Sequence, residues 1–513
     1  MLNARQAQFQ AEHDDQLLDH IKYLSAPVGS GKTQAVIEDI RDNLDQSYIF
    51  VTPTRKLAQQ IKNRLDAALV NHGQGENTFL LISDEQEPEP VIRRAMNRIN
   101  GKRPDENHIL VITTEAFRNL LPQMTDAQKS GYTVYLDEGI DAIDHVEFRT
   151  QRQEVFLEPI DHAEDGSLSI TQNGRELLEA VARNPGRLAA LNREELNTPN
   201  FAKIAKLLVS DIYDVYGSIG DASIRVVAFL RPDHFLAFRS VVIIMAIFEQ
   251  SLLALFWREK YGINFQRYEP GGDLFDTHVQ KGPLIRIHHL LHAGDNASRL
   301  NLERNSQTGE RAADHRGGER VIDRMAEIVN EHFDHVPYCW AANAYFTNAQ
   351  RLLNHDRMPA VSAGLNDYHL FDTVVTLLTM NPPPWVKDMV IRHVEIADDE
   401  LYELWKISHT YQTIGRCSLR NRDANREIDI VVLSRDCAQR IHALFPGSRI
   451  VGQLGDLQHF GAMRRGRGAG NRRIPYTDAD NAAWYRFQRA NPDNVLTKEE
   501  WYRDIRNPGF QDD

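Results

Sequence analysis

The chain has 513 residues, of which 42% are hydrophobic and 26% are charged, and its formal net charge is −13. This composition is typical of a globular protein with a large core, and the length is enough for about three domains. The acidic balance excludes nucleic-acid binding by the whole surface, so such a partner would need a local groove. Three scattered cysteines exclude a disulfide framework, a zinc ribbon and a four-cysteine iron–sulfur cluster, and they favour a reduced, cytoplasmic compartment.

The sequence gives no sign of membrane insertion. No apolar run reaches the length of about 18 residues that a spanning helix needs, so we expect no membrane span. The N-terminal residues lack the apolar segment of a signal peptide. Residues 1–22 have the pattern of a polar surface helix, although their glutamines could also contact an adenine base.

The segment Tyr23–Thr33, YLSAPVGSGKT, predicts a short buried strand, a turn of small residues and the start of a helix. Such a turn points several backbone N–H groups at one position, and the helix dipole adds positive potential there. This is the pattern of a nucleotide-binding P-loop, with Lys32 reaching the β- and γ-phosphates and Thr33 ligating Mg²⁺. Ala26 takes the place of the usual first glycine. The predicted phosphate-binding residues are Ala26, Pro27, Val28, Gly29, Ser30, Gly31, Lys32 and Thr33.

Two further predicted strands end in hydroxyl residues, at Ser47–Thr52 and at His108–Thr113. Open parallel sheets bind their ligands at the carboxyl ends of the strands. Hydroxyls, helix N-termini and a cation at such an edge suit a phosphodiester backbone, although the hydroxyls could equally serve only as helix caps. The residues concerned are Pro53, Thr54, Arg55, Thr113 and Thr114.

Tyr132–Leu136 predicts a buried strand that leads directly into Asp137-Glu138-Gly139. An acidic pair at the end of a buried strand, downstream of a P-loop, is the Walker B arrangement. We expect Asp137 to hold Mg²⁺ and Glu138 to orient and deprotonate the attacking water.

Four segments, APVGSGKT, VTPTRKLAQQ, ITTEAF and YLDEG, resemble in order and spacing motifs I, Ia, Ib and II of superfamily 2 helicases of the DEAD/DEAH-like group. The resemblance implies a RecA-like domain, in which helices cover both faces of a parallel sheet. It also implies ATP and Mg²⁺ as cofactors, a nucleic acid as partner, and backbone contacts from Thr54, Arg55, Thr113 and Thr114.

A long segment separates motif II from the next buried strand, Ser240–Ala246, which lies where motif III of that group is expected. Met245-Ala246-Ile247 replaces the usual Ser-Ala-Thr there, so both hydroxyls are missing. Residues 1–149 and 236–275 are predicted to form the first domain. Residues 150–235 predict a mainly helical insertion with one strand-like segment, SIRVVAFL. The insertion could separate strands, select substrates or serve only as a structural cover.

Residues 276–318 are predicted to be a linker, and residues 319–445 a second RecA-like domain. In this domain, the segment SAGLN is similar to motif V, which implies that Gly364 and Asn366 contact the nucleotide.

A helix is predicted through LYELWKISHTYQTIGRCSLRNRD, and it carries Gln412, Gly415, Arg416 and Arg420. The segment resembles motif VI, except that the second arginine follows the first by four residues instead of three. Charge that develops on the transferred phosphoryl group requires a rigid cation from the facing domain. We therefore expect an arginine finger, and either Arg416 or Arg420 could supply it.

Residues 446–513 are predicted to form a basic tail and a small C-terminal helical module. Arg464, Arg465 and Arg467 lie among glycines. Such a cluster could be a flexible nucleic-acid contact or simply a solvated segment.

Taken together, these features predict an α/β protein with two RecA-like parallel-sheet domains that hydrolyses ATP in the cleft between them. The predicted activity is that of a nucleic-acid helicase or translocase, with DNA favoured over RNA. One alternative is an ATP-gated clamp or remodeller that does not unwind, which the altered motif III suggests. Another is the motor subunit of a larger nuclease or defence complex, in which a partner protein would cut.

Overall fold

The structure is a computed structural model that describes residues 21–457 with short gaps. The gaps are at 71–76, 84–88, 104–105, 151–152, 221–222, 273, 294, 296, 307–318, 344–345, 347–355, 360–366, 380 and 395, and the side chains of 300, 398–399 and 402–403 are also not described. Several predicted functional positions therefore lie outside the described residues. These are the segment 1–20, Gly364, Asn366, Arg464, Arg465 and Arg467.

The first part of the chain alternates buried strands with amphipathic helices, as the sequence predicts. Its strands are β1 (Ile21–Ser25), β2 (Ser47–Thr52), β3 (Thr78–Leu81), β4 (Ile109–Thr113) and β5 (Tyr132–Asp137). Its helices are α1 (Lys32–Asp42), α2 (Arg55–Leu69), α3 (Val91–Gly101), α4 (Thr114–Leu120) and α5 (Asp126–Lys129). Strands β2 and β5 are buried along their whole length, which explains their continuous run of β-branched and aromatic residues.

The insertion that follows is an α+β unit and not mainly helical. Its elements are β6 (Ile143–Arg149), α6 (Gln153–Leu157), β7 (Ile160–His162), β8 (Leu168–Ile170), α7 (Arg175–Arg183), α8 (Arg187–Ala190), α9 (Pro199–Val209), β9 (Tyr213–Gly220) and β10 (Ser223–Leu230). Strands β6, β10 and β9 form an antiparallel sheet in that order, and β7 pairs with β8. The sheet packs its apolar face on α7 and α9 through a core that includes Phe148, Phe201 and Val226. The prediction of a strand at SIRVVAFL is confirmed by β10, but the other strands were missed, and the start of the insertion was placed at 150 instead of at β6.

The chain then returns to complete the first sheet. The returning elements are α10 (Asp233–Leu236), β11 (Ser240–Met245), α11 (Leu252–Tyr261), β12 (Gln266–Arg267) and α12 (Thr277–Lys281). The seven strands are all parallel to their neighbours, in the order β12-β1-β11-β5-β2-β4-β3. Because β11 lies between β1 and β5, the ends of the P-loop strand, the Walker B strand and the motif III strand meet at one edge of the sheet.

The second sheet has six described strands, also parallel, in the order β15-β14-β16-β17-β13-β18. The elements are β13 (Ile285–His289), α13 (Arg299–Leu302), α14 (Val321–His332), β14 (Cys339–Ala342), β15 (Asp356–Met358), β16 (Thr373–Leu377), α15 (Pro384–Val394), α16 (Asp398–Ile414), β17 (Ile428–Val432), α17 (Arg435–Leu444) and β18 (Arg449–Gln453). The two sheets confirm the predicted fold class of two parallel-sheet α/β domains.

The second domain extends further along the chain than its predicted boundaries. Strand β13 lies in the segment that was predicted to be a linker, and β18 lies in the segment that was predicted to be tail. Strand β13 pairs with β17 on one side and with β18 on the other. Their sequences, IRIHH and RIVGQ, contain charged, histidine and glycine residues, so that neither has the continuous apolar run of a central strand.

Helix α15 joins the two halves of the molecule. It follows a strand of the second sheet, yet its buried residues Val386, Met389, Val390 and Val394 belong to the hydrophobic core of the first domain. This helix contacts α11 of the first domain and β10 of the insertion. The second domain is therefore attached to the first by core packing as well as by the chain connection. Within the described residues, no helix is long and apolar enough to cross a membrane.

Candidate nucleotide-binding cleft

The P-loop connects β1 to α1 at the edge of the first sheet. Gly29 and Gly31 have φ values of +75° and +93°, which lie in the left-handed region that glycine adopts without strain. These two residues turn the chain so that α1 begins at Lys32, with Gly31 as its N-cap. The Lys32 ammonium donates hydrogen bonds to the carbonyl oxygens of Ala26 and Pro27, each at 2.7 Å. The predicted strand–turn–helix context of the segment is thus present.

Asp137 and Thr33 face each other across this turn. The Thr33 hydroxyl donates to the Asp137 carboxylate at 3.3 Å, and Asp137 is only 5% exposed. Burial, with the added charge of Glu138, raises the pKa of Asp137 to about 7, although Lys32 opposes the shift. Burial likewise lowers the pKa of Lys32 to about 8, partly offset by the charges of Asp137 and Glu138. A hydroxyl and a buried carboxylate at this spacing are the oxygen ligands that Mg²⁺ uses, so the residues fit that ion.

Glu138 is held between the two domains. Its backbone has a φ of +61°, unusual for a residue with a side chain, and its N–H donates to the carbonyl of Ile244 at 2.8 Å. The guanidinium of Arg416, from the second domain, donates to the Glu138 carboxylate at 2.7 Å. Arg416 is 1% exposed, so this is a charge-assisted contact in a largely water-excluded place. The predicted catalytic carboxylate and one of the two predicted arginine fingers are therefore in contact.

The motif VI arginines do not lie on an α-helix, contrary to the prediction. Helix α16 ends at Ile414, and Arg420 closes a single 3₁₀ turn over Ser418–Arg420. The residue directly after the helix must be glycine, because a Cβ atom at position 415 would lie 2.7 Å from the side chain of Val28 in the P-loop. The backbone of Gly415 therefore packs directly on the P-loop.

Arg420 takes a different position from Arg416. A Cβ atom at Gly29 would lie 3.0 Å from the Arg420 Cα, so the backbone of Arg420 lies directly on the P-loop glycine. Its Nε donates to the Gly415 carbonyl at 2.6 Å. Burial, followed by the like charge of Arg416, lowers the pKa of Arg420 to about 10. Both arginines nevertheless line the same cleft.

Two residues at this interface were missed by the sequence analysis. Arg422 donates to the carbonyl of Ser30 at 3.1 Å, and its guanidinium lies 5.4 Å from the ring centroid of Phe275. The Tyr411 hydroxyl accepts from the backbone N–H of Val28 at 3.0 Å and contacts His278 Nε2 at 2.6 Å. Arg422 could have been suspected as a third arginine close to the motif VI pair. No local signal marks Tyr411, because its partner is more than 380 residues away in the chain.

These elements enclose a cavity of about 200 Å³ between the two domains. Its wall combines the P-loop, the acidic pair and the motif VI segment, as the prediction requires. The lining residues are Val28, Gly29, Ser30, Gly31, Lys32, Thr33, Gln34, Leu57, Arg64, Asp137, Glu138, Ile244, Met245, Ala246, Gln412, Arg416 and Arg420. Arg64, on α2, was not predicted, and it donates to Gln34 at 2.7 Å.

The predicted nucleic-acid contacts in the segments that resemble motifs Ia and Ib lie at the same edge of the first sheet. Thr54 and Thr113 act as N-caps of α2 and α4, accepting from Leu57 N at 3.2 Å and from Ala116 N at 3.4 Å. The alternative capping role is thus confirmed for both, and their contact with nucleic acid stays a prediction. Arg55 is exposed and reaches the carbonyl of Ser83. Pro53 and Thr114 line a second cavity, next to the first.

This fold, with its two parallel-sheet α/β domains, and this site define an ATP-hydrolysing enzyme. Residues 7–163 match the family model of the DEAD/DEAH box helicases, which confirms the predicted likeness to superfamily 2 helicases. No curated protein sequence matches the chain.

Several solved helicase structures are similar in fold at low identity. An apo structure of XPD has 12% identity and a TM-score of 0.46, with 85% of this chain and 98% of that chain covered. Xpd4 of S. tokodaii has 13% identity and a TM-score of 0.42, with 88% of this chain and 99% of that chain covered. The DEAD-box helicase Mss116, bound to single-stranded RNA and UDP-BeF, has 11% identity and a TM-score of 0.37, with 88% of this chain and 75% of that chain covered.

Proposed function

We propose that the protein is a nucleic-acid-dependent ATPase that moves along, and separates, nucleic-acid strands. The observation that carries this proposal is the ion pair between Glu138 and Arg416, which joins the Walker B carboxylate of one domain to an arginine of the other. A catalytic group that is completed across a domain boundary makes hydrolysis depend on closure of the cleft. Closure and opening are the motions by which such an enzyme can move along a strand.

In this proposal the P-loop binds the phosphates of ATP through its backbone N–H groups and Lys32. Thr33 and Asp137 would hold Mg²⁺, which when bound neutralises charge on the phosphate oxygens. Glu138 positions a water molecule and accepts its proton. Arg416 orients Glu138 in the closed cleft, and Arg416 or Arg420 meets the charge that develops on the transferred phosphoryl group. Gln412 lines the cleft close to these groups.

We propose DNA as the polymer, held along the sheet edge that carries Pro53, Thr54, Arg55, Thr113 and Thr114. The contacts expected from Gly364 and Asn366 on the nucleotide, and from Arg464, Arg465 and Arg467 on the polymer, are part of the same proposal. The protein is expected to act in the cytoplasm, and a partner subunit remains compatible with all these assignments.

A second candidate is an ATP-gated clamp or remodeller that does not unwind. It is favoured by Met245, Ala246 and Ile247, which leave motif III without hydroxyl groups at the end of β11. In such a protein hydrolysis would release the nucleic acid without driving a step along it.

A strand-displacement assay separates the two candidates. Tailed DNA and RNA duplexes are incubated with the protein and ATP, with Lys32→Ala as the inactive control. Separation of the DNA duplex by the wild-type protein alone supports the proposed function. Binding that depends on ATP, without separation of either duplex, would support the clamp and contradict the helicase.

A further inference from the structure

A second cavity, of about 380 Å³, adjoins the nucleotide cleft on the side away from the P-loop. Its volume is within the range of roughly 300–1,000 Å³ that is usual for small-molecule sites. It is enclosed by the first domain and by α16, and it shares Glu138, Met245 and Gln412 with the cleft. The same three side chains therefore separate the two cavities.

The two sides of this second cavity differ in chemistry. Leu252, Leu404 and Trp405 supply an apolar and aromatic surface, and Trp405 packs partly buried against the first-domain core. Pro53 and Thr114, at the carboxyl ends of β2 and β4, also line the cavity and belong to the proposed nucleic-acid edge. The cavity thus connects that edge with the wall of the catalytic site.

The charges around the cavity distinguish between the parts of a nucleotide. Glu115, Glu138 and Asp141 line it together with Arg118, whose guanidinium donates to the Asp141 carbonyl at 3.0 Å and lies 3.5 Å from the Asp141 carboxylate. The three carboxylates outnumber this cation and disfavour a phosphate inside the cavity, but their oxygens accept hydrogen bonds from the ring N–H and amino groups of a base. Any of the bases gains stacking energy beside a tryptophan, so this contact does not depend on the sequence of the nucleic acid.

We propose that this cavity receives one unstacked base of a single-stranded nucleic acid, with the base against Trp405 and the backbone outside, along Pro53 and Thr114. The proposal deepens the proposed function and rests on it. A base in this position touches Met245 and approaches Glu138, whose Oε2 atom is buried and has no hydrogen-bond partner among the described residues. The polymer then acts on the catalytic carboxylate by direct contact, in place of the motif III hydroxyls that this chain lacks.

The test compares two polymers in one ATPase assay: oligodeoxythymidylate and an abasic oligonucleotide of the same length and charge. For the wild type, we expect the oligodeoxythymidylate to stimulate hydrolysis about tenfold more than the abasic strand, since stacking is lost without bases. In Trp405→Ala the two strands are expected to stimulate equally, whereas Trp405→Phe keeps most of the difference. Trp385→Phe, on α15, is the matched control and retains the wild-type ratio.

A second variant, Ser408→Phe, tests the same cavity in case Trp405→Ala does not fold. Ser408→Phe leaves Trp405 in place and fills the cavity, so it should also equalise the two strands. Equal stimulation of the wild type by both strands overturns the base site but leaves the polymer-dependent ATPase intact. A difference that persists in both Trp405→Ala and Ser408→Phe overturns it as well. Absence of stimulation by either strand contradicts the proposed function itself, and the base site with it.

Discussion

At the scale of single residues, the residues expected to bind ATP and the residue expected to catalyse its hydrolysis are positioned in different ways. Lys32 and the P-loop glycines are positioned by local backbone geometry, because Gly29 and Gly31 adopt positive φ values. Glu138 depends instead on a residue of the other domain, at 2.7 Å. Substitutions in the contact between Glu138 and Arg416 should therefore change kcat, whereas substitutions at the P-loop should change KM for ATP.

Glu138→Gln should preserve ATP binding and lower kcat by about 10²–10⁴-fold, because an amide cannot accept the proton of the attacking water. Binding of a fluorescent ATP analogue and steady-state hydrolysis measure the two effects. Glu179→Gln, on the surface of α7, is the control and should resemble the wild type. Near wild-type turnover by Glu138→Gln would show that another group is the base.

Arg416→Ala should lower kcat by about 10³-fold or more, as expected for loss of an arginine that meets transition-state charge and orients the base. Arg422→Ala should mainly raise KM for ATP, because Arg422 contacts the P-loop carbonyl of Ser30. The exposed Arg426 provides a control in Arg426→Ala. If Arg416→Ala changes KM and leaves kcat unchanged, Arg416 is not the arginine finger, and Arg420 is the remaining candidate for that role.

The pKa of Asp137, raised by burial to about 7, predicts a pH dependence of Mg²⁺ binding. The carboxyl group holds its proton below about pH 7, so a proton competes with the ion there and not above it. Apparent Mg²⁺ affinity should fall up to about tenfold per pH unit on acidification below pH 7. A Mg²⁺ titration of nucleotide binding from pH 6 to pH 8 measures this. Asp137→Asn should keep only the pH dependence of ATP itself, and an equally steep slope in that variant would exclude Asp137 as the source.

At the scale of secondary-structure elements, the sequence predicted the strands that are buried on both faces. Ser47–Thr52 was predicted with its observed bounds, and β5 and β11 each differ from their prediction by one residue. A continuous run of β-branched residues is a local signal, and so are the small residues of the P-loop. The order of the motifs located the site because parallel strands end at one edge of a sheet.

The elements that were missed depend on contacts distant in sequence. Strand β9 of the insertion is exposed over its last three residues and pairs antiparallel, so it lacks such a run, whereas its neighbour β10 has the run RVVAFL and was predicted. The end of α16 before Arg416 coincides with the close approach of Gly415 to Val28 in the other domain. Nothing within the motif VI sequence alone distinguishes this break from a continuing helix, which explains the wrong prediction for the arginines.

Helix α15 gives a stability prediction at this scale. Val390 is fully buried in the first-domain core, although it lies on a helix of the second half of the chain. Val390→Ala should lower the free energy of unfolding by about 1–3 kcal/mol through lost apolar burial and a residual cavity. Scanning calorimetry measures it, with Asp388→Ala, exposed on the same helix, as control. Wild-type stability of Val390→Ala would contradict core packing of α15 on the first domain.

At the scale of the whole molecule, two parallel sheets meet through a few specific contacts around one cleft. Tyr411, Gly415, Arg416 and Arg422 of the second domain all contact the P-loop or the acidic pair of the first. A net charge of −13 keeps non-specific attraction to nucleic acid low, so the proposed binding would depend on the local sheet edge and the cavity beside it. In the proposed function, polymer binding and hydrolysis lie on either side of Glu138, Met245 and Gln412.

The central claim is that this cleft is a motor site controlled by nucleic acid. The most direct measurement is the ATP hydrolysis rate of the purified protein alone and with single-stranded DNA, single-stranded RNA or duplex DNA. The account predicts strong stimulation by single-stranded DNA, and loss of that stimulation in Glu138→Gln. Hydrolysis that none of the polymers changes would contradict the account and separate the P-loop from nucleic acid.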